Sequence, residues 1–529
     1  MIIASVRRVL PGVIGVAAAM LGVFAAWHYH ALGLTLSHYD ARGHLIVARR
    51  IADSITPGWQ QVGAVWLPLP HLLNALPVQI DLFYRTGASA VAISIAAYAI
   101  ATAAIAWIVL AETESVAAAA AAAAVFALNP NVLYLQATPM TEPLLLATTT
   151  VAVAMLIRWT RGQRPARRPV GVAFALACLT RYEAWPVTAA ALTAAVWARR
   201  GSGESLADSS REVARIAAYP AVAIAGFAVF SRVVIGTWFV SSGFFVPENK
   251  ALGDAMLAAK EIGWGARTLS GPMLTWIGGI GIAIAFVRSA ERFTRRSDIE
   301  AAARRSDTRP SGALIAASLL AMATIPSAAF YRGHPFRIRY MVPLMAAEAI
   351  GAGILAGTVP VRRLRLAGAL MLMAVAAYEL RPLDRSAPMV MEAQWDRPNA
   401  PERTRVTACI GHLQPGAKIM ASMGSLGHYM QEASQQGLVI RDFLHEGNGD
   451  IWLAALEDPH RFADWLLIEE KAAGGDMLAR MARERPSFLA GYARICDGAG
   501  LALYRRLEHT DALETTEGAD TGFSDARRR

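Results

Sequence analysis

Cysteine is almost missing from this chain: Cys178, Cys409 and Cys496 are the three in 529 residues, and no two stand at a spacing used for zinc or for a dithiol redox centre. Charge is scarce as well. Asp, Glu, Lys and Arg make up 17% of the residues against 55% hydrophobic ones, which excludes a disordered chain and argues against an ordinary soluble protein of this length. A cleavable leader is not read at the N-terminus, because "MIIASVRRVL" runs into a long apolar stretch without a clean A-x-A site, so the stretch is taken as a retained span. The net charge of +10 lacks the interleaved basic and aromatic pattern of a nucleic-acid groove, and no nucleic-acid partner is expected.

What is present is a series of apolar runs close to the roughly 20 residues that cross a bilayer. Eleven transmembrane helices are expected, at about residues 9–28, 87–110, 116–128, 143–158, 170–181, 184–198, 216–235, 272–288, 311–330, 341–358 and 366–380. The Ala-rich "SVAAAAAAAAVFAL" reads as a packed span, since Ala favours helix and small side chains let helices approach. Arginines fall on alternate loops: Arg7 and Arg8; Arg158, Arg161, Arg164, Arg167 and Arg168; Arg199 and Arg200; Arg288, Arg292, Arg295 and Arg296; Arg362, Arg363 and Arg365. The positive-inside rule puts these on the cytoplasmic side, with the N-terminus. An odd span count then puts the C-terminal region outside the cytoplasm.

Three regions follow: a transmembrane domain at 1–380 with a long first outer loop at 29–86, an extracytoplasmic α/β domain at 381–507, and a disordered tail at 508–529. The fold class is an α-helical polytopic membrane protein with a small C-terminal α/β domain. "AKIMAS", "LVIRDF", "DWLLIEE", "YARIC" and "LALYRR" read as its strands, and "GSLGHYMQEASQQG" and "GGDMLARMARERP" as helical or turn-rich pieces between them. Cys409 and Cys496 flank this domain. A disulfide needs their α-carbons within about 4.4–6.8 Å, which sequence alone leaves open.

The outer loops carry charge that the positive-inside rule does not require. In order they hold Asp40, Glu142, the pair Arg181 and Glu183, and His334 with Arg337 and Arg339. Taken singly, each reads as a solvated cap or an interfacial anchor; Arg181 and Glu183 suit mutual neutralisation, and His38 and His44 suit interfacial polar groups. Together on one face they suit a different chemistry, carboxylates that activate a hydroxyl or amine and arginines that hold a phosphate through a two-pronged fork. The piece "GWQQVGAVWLPLPHLL", with Trp59, Trp66 and His71, reads as interfacial and placed to line a lipid entrance or to cover span ends.

The segments "YDARGHLIVARRI", "GAVWLPLPHLL", "ATPMTEPLLLA", "LTRYEAW" and "FRIRYMVPLMA", in this order and on this side, resemble the C superfamily of membrane glycosyltransferases, over about residues 9–380. The nearest likeness is to the family 39 type, the aminoarabinose transferases and protein O-mannosyltransferases. The resemblance implies transfer of a sugar from a polyprenyl-phosphate donor to an acceptor outside the cytoplasm, with inversion, in a bacterial inner membrane. It implies Asp40 and Glu142 as the catalytic carboxylates of the first two outer loops, with Asp40 as general base, and Arg337 and Arg339 as phosphate contacts. Tyr39, His44, Gln136, Arg181, Tyr182, Glu183 and His334 would complete the substrate pocket. Some members bind a divalent ion through adjacent acidic residues; here Asp40 is followed by Ala41 and Arg42, so a metal-independent site without other cofactors is preferred, with a divalent ion held by Asp40, Glu142 and Glu183 left open as the less favoured alternative. The acceptor stays open, as lipid, glycan or protein. Two other readings remain, a transporter or flippase for a lipid-linked sugar and a non-catalytic scaffold of a cell-envelope polysaccharide system. A transporter would carry ionisable groups near the bilayer midplane, whereas the charges counted here lie at one face.

Overall fold

Every stretch read as a span is helical in the computed structural model, which describes residues 2–163, 166–238, 249–294, 312–359, 361–471 and 474–507. Arg164, Arg295 and Arg296 of the basic loops, and the tail at 508–529, lie outside the described residues. Among the described residues seven helices are long and apolar enough to cross a bilayer: Val6–Ala31, Ala88–Thr113, Glu142–Thr160, Leu206–Ile235, Pro272–Ser289, Ala313–Tyr331 and Ile338–Gly357. The pair Val116–Ala127 and Pro130–Gln136, bent by 65°, makes an eighth if counted as one span. The expected count of eleven is therefore not reached by length and composition. Arg167–Cys178 has 12 residues and reaches about 18 Å at 1.5 Å per residue, short of the roughly 30 Å hydrocarbon core. Ala184–Gly201 and Arg362–Glu379, 18 residues each, are made polar by Arg199 and Arg200 and by Arg362, Arg363 and Arg365. Seven is odd and eight is even, so span parity no longer fixes the side of the C-terminal region.

The bend has a local cause. Pro130 brings no N–H to the helix, and the Asn129 side chain takes over the capping, its Oδ1 accepting from the N–H groups of Asn131 (2.9 Å) and Val132 (3.3 Å). The chain then turns inward, and residues 129–143 are all buried. The second outer loop of the sequence reading is thus no exposed loop. It is a packed helical elbow that delivers Glu142 to the interior.

Two units separate by their contacts. The first comprises Met1–Ala41, Gly63–Asn74 and Thr86–Trp395; the second comprises Arg42–Val62, Ala75–Arg85 and Asp396–Arg529. In the first, small residues let the helices approach closely: a Cβ on Gly351 would fall 2.2 Å from the carbonyl oxygen of Gly278, so the contact between Pro272–Thr294 and Leu344–Gly357 tolerates only glycine there.

The second unit is built on a five-stranded sheet: β1 (Ile419–Ala421), β2 (Phe443–Leu444), β3 (Trp465–Glu469), β4 (Tyr492–Gly498) and β5 (Leu501–Arg506), in the order β2-β1-β3-β5-β4. β1 runs parallel to β2 and β3, and β5 is antiparallel to β3 and β4. Four of the five expected strands appear where their alternation placed them. "LVIRDF" does not: Ile440–Asp442 forms a 3-10 turn whose Asp442 side chain binds its own cap, leaving Phe443 and Leu444 to pair. Segments of the first outer loop complete this unit. Asp53 accepts from Arg49 and from the Arg441 side chain, each at 2.9 Å, Gln61 donates to the Gly447 carbonyl at 2.8 Å, and Arg42 is ion-paired with Glu432. Cys409 and Cys496 form a disulfide with α-carbons 6.5 Å apart across 87 residues, and Cys178 is a buried free thiol. In the chain-entropy model a closure of that length contributes about 4–5 kcal/mol.

Asp476 caps the helix Met477–Glu484 through the Ala479 N–H at 2.8 Å and also accepts from the Glu469 N–H at 3.0 Å. Burial first, then the neighbouring Glu446 and Glu469, push its pKa up from 3.8 to about 6 despite those hydrogen bonds. A folded-state pKa above the unfolded one means that its favourable contribution is present below about pH 4 and is lost as the pH rises through 6. Asp476→Asn, which removes the titrating group, should therefore flatten the fall in unfolding temperature between pH 4.5 and 7.5. An unchanged slope in the variant would contradict this.

Candidate active site

Two carboxylates stand in the first turns of helices. Asp40 is the second residue of Tyr39–Arg49, and Glu142 opens Glu142–Thr160, where the following Pro143 forfeits an N–H that has no intrahelical partner anyway. Both suit the positive end of a helix dipole. Each also meets an arginine from a distant part of the chain. Asp40 is ion-paired with Arg339, both side chains being buried. Glu142, fully buried, has Oε1 3.2 Å from Arg181 Nη1, and it forms one wall of an otherwise apolar crevice with Tyr98, Phe126, Val132, Leu135, Pro143, Leu146 and Val342. A lone charge there would be costly, so Arg181 is what makes the position tenable.

Local backbone decides which arginine turns inward. Arg337 is extended (φ −135°, ψ 118°), and the next four residues, Ile338–Met341, form a 3-10 turn. Arg339 is thereby 5% exposed while Arg337 stays half-buried. The Arg339 guanidinium lies over the Tyr340 ring, 5.0 Å from its centre, and Nη2 is the nitrogen that faces Asp40. Nε and Nη1 are buried without a hydrogen-bond partner among the described residues.

Arg181 differs. Its Nη1 donates to Thr141 Oγ1 at 2.9 Å, its Nη2 to Glu183 Oε1 at 2.7 Å, and its Nε to the same carboxylate at 3.2 Å. Burial works against its charge, but Glu142 and Glu183 outweigh burial and hold its pKa above the ordinary arginine value. Arg181 is thus spent on two carboxylates. The two ion groups are electrostatic neighbours, since Arg339 and Glu142 sense each other's charge.

Other expected site residues divide. Tyr39, half-buried, meets Trp395 edge-on at 5.8 Å; burial and then the Asp40 charge push its hydroxyl up to about 12. His334 sits near the same arginines, with Nδ1 2.8 Å from the Pro335 carbonyl and Nε2 3.4 Å from the Tyr340 hydroxyl, and burial lowers its pKa. Tyr182 belongs to an aromatic cluster instead, edge-on to Trp185 and Phe227, with its hydroxyl donating to the Ala64 carbonyl at 3.2 Å. Gln136 is fully buried and donates to the Gly22 and Leu133 carbonyls, each at 3.1 Å, which makes it a strut between helices. His44 is buried and falls in the second unit.

Sequence reasoning undervalued one group and overlooked two others. His38, taken as an interfacial polar group, is buried and accepts the Asp40 N–H on Nδ1 at 3.1 Å; burial and then Arg339 drive its pKa down to about 3, so it is neutral at physiological pH. Glu392, assigned to the C-terminal domain, groups with the first unit and accepts the Ile338 N–H at 2.7 Å. Glu348 corrects the view that charge is confined to one face, for it lies buried inside the span Ile338–Gly357, 3.4 Å from the Thr275 hydroxyl. Among the described residues no three or more His, Cys, Asp or Glu are grouped so as to hold a metal ion.

No protein-family model and no curated protein matches the chain. Solved structures do. ArnT from Cupriavidus metallidurans bound to undecaprenyl phosphate is 14% identical, with a TM-score of 0.52, over 94% of this chain and 98% of that one. The same protein in its apo state is 13% identical, with a TM-score of 0.52, over 93% and 97%. The chain has the ArnT fold. At this coverage the match with ArnT includes the C-terminal unit as well as the helices.

Removing one member of a buried ion group leaves the others uncompensated, which typically costs about 3–5 kcal/mol. Arg181→Met should therefore lower the unfolding temperature and the yield of folded protein sharply, because Glu142 and Glu183 lose their shared partner. Arg337→Gln, at a half-exposed position with no side-chain ion pair among the described residues, should stay within about 0.5 kcal/mol of wild type. Equal unfolding temperatures for the two variants would refute this division.

Proposed function

We propose that the protein is an integral membrane glycosyltransferase that takes a sugar from a polyprenyl-phosphate donor and passes it, with inversion, to an acceptor outside the cytoplasm. The observation that carries this reading is Arg339: a buried guanidinium beside a carboxylate, with two nitrogens lacking a hydrogen-bond partner among the described residues. Each buried N–H left unsatisfied costs about 1–3 kcal/mol, and an anion that accepts from them recovers that loss. A phosphate does so with charge-assisted bonds. The solved ArnT complex holds undecaprenyl phosphate, which makes a polyprenyl phosphate the first choice of anion.

In the proposed step the acceptor O–H or N–H gives its proton to Asp40 as the acceptor atom bonds to the anomeric carbon. The bond from that carbon to the phosphate oxygen breaks, and the electron pair leaves with the lipid phosphate, whose charge Arg339 receives. The arriving phosphate competes with Asp40 for Arg339 and so loosens the ion pair that occupies the base at rest. Arg337, half-buried beside it, adds positive charge at the mouth. Tyr39 and His334 line the sugar side, and Glu142 and Glu183, tied by Arg181, act as a rigid wall in place of a second base.

A divalent ion does not fit this neighbourhood. Asp40, Glu142 and Glu183 each already face a guanidinium, so a metal would meet cations in its own coordination sphere. The reading is accordingly metal-independent. Placement of the C-terminal unit outside the cytoplasm of a bacterial inner membrane is supported by its disulfide, a bond that persists in oxidising compartments.

The test is a transfer assay with purified protein in liposomes, supplied with sugar-loaded polyprenyl phosphates and read by mass spectrometry as appearance of the free lipid phosphate. Asp40→Asn should leave donor binding intact while lowering turnover by at least about 100-fold, the usual contribution of a general base. Arg339→Lys keeps the charge but loses the fork, and should weaken donor binding by about 10–150-fold, the equivalent of 1.5–3 kcal/mol. Transfer at the wild-type rate by Asp40→Asn would remove Asp40 as the base.

A further inference from the structure

The turn that aims Arg339 cannot hold itself. Ile338–Met341 is a four-residue 3-10 turn, and its cap residue, Arg337, makes no side-chain capping bond. Its first N–H, from Ile338, is met instead by Glu392 Oε2 at 2.7 Å, from 54 residues further along the chain. Glu392 closes a short helix, Pro388–Glu392, that follows the last helix of the first unit and is itself fastened: the Met389 N–H donates to Asn131 Oδ1 at 2.9 Å, and Asn131 Nδ2 donates to the Leu269 carbonyl at 2.9 Å. Met389 and Val390 are fully buried. A chain of anchored contacts thus runs from the helical elbow at Asn131 to the backbone of Ile338.

We propose that Glu392 is a positioning residue for the donor phosphate: it fixes the Ile338–Met341 turn so that Arg339 presents its unpartnered nitrogens to the anion. The proposal rests on the reading of Arg339 as the phosphate ligand. Three features favour positioning over simple charge neutralisation. Glu392 makes no ion pair with the Arg339 guanidinium among the described residues, so it orients the side chain without consuming its donors. Its hydrogen bond is to a backbone N–H, that of Ile338, and so fixes the course of the turn rather than neutralising charge. Its other oxygen, Oε1, is buried without a hydrogen-bond partner among the described residues, and burial raises its pKa against the pull of Arg339 and Arg337. A carboxylate kept there at that cost is placed for its acceptor oxygen.

The experiment is titration of the full-length protein in nanodiscs with undecaprenyl phosphate, measuring Kd for wild type, Glu392→Ala, Glu392→Gln, Arg339→Lys and the double variant Glu392→Ala/Arg339→Lys. Glu392→Ala should weaken binding about tenfold or more. Glu392→Gln, whose amide oxygen still accepts the Ile338 N–H, should stay within about threefold of wild type. In the Arg339→Lys background Glu392→Ala should add little, because the group it positions is already changed. Where Glu392→Ala does not give folded protein, Glu392→Asp, with an arm too short to reach Ile338, replaces it under the same expectation. Wild-type affinity in the Ala variant, or a full additional loss in the double variant, would overturn the positioning role while leaving the phosphate site standing. Failure of the wild-type protein to bind undecaprenyl phosphate would overturn the phosphate reading itself.

Discussion

The ion pair between Asp40 and Arg339 is the contact on which the proposed chemistry depends. It joins the first turn of the helix after the first span to a 3-10 turn about 300 residues later, and both side chains are buried. A buried pair of this kind adds little net stability, since desolvation offsets most of the attraction, and its value lies in geometry. Here the geometry leaves Arg339 with one nitrogen engaged and two without partners. Arg181, with its donors spread over Thr141, Glu142 and Glu183, shows what a purely structural arginine looks like in the same interior. The contrast between the two arginines separates a scaffold from a receptor for an anion.

The rest of the first unit can be read as support for that contact. The elbow at Asn129 and Pro130 buries residues 129–143 and brings Glu142 inward; Asn131 then anchors the helix that ends at Glu392. Glycines between Pro272–Thr294 and Leu344–Gly357 allow the close contact that seats the helix following the Arg339 turn. The buried Glu348 in that helix is an ionisable group within a span that the proposed reaction does not use, and a transport reading would have to employ it.

Much of this was legible in the sequence, for physical reasons that can be named. Apolar length gave the long apolar helices at 9–380, because hydrophobic runs report directly on burial in lipid, but not Ala255–Ser270, whose Lys260, Glu261 and Arg267 interrupt the apolar run. Period-two alternation gave "AKIMAS", "DWLLIEE", "YARIC" and "LALYRR", and failed at "LVIRDF", where the Asp442 side chain competes for the backbone. The motif order gave Asp40, Glu142, Arg181, Glu183 and Arg339 as members of charged groups. It did not tell Arg339 from Arg337, since that choice is made by one extended residue before a turn. Nor could it give Glu392, whose partner is a backbone N–H and so leaves no side-chain signal, or the recruitment of loop residues such as Asp53 into the C-terminal unit, which depends on long-range pairing.

The central claim is that Arg339 receives the lipid phosphate with the nitrogens that the protein leaves unpartnered. A structure of the full-length protein in a nanodisc containing undecaprenyl phosphate tests it most directly. The account predicts phosphate oxygens at roughly 2.7–2.9 Å from Arg339 nitrogens, the range of charge-assisted hydrogen bonds, with Arg181 still bound to Glu142 and Glu183. A phosphate seated on Arg181, or on Arg337 alone with Arg339 still locked to Asp40, would contradict it.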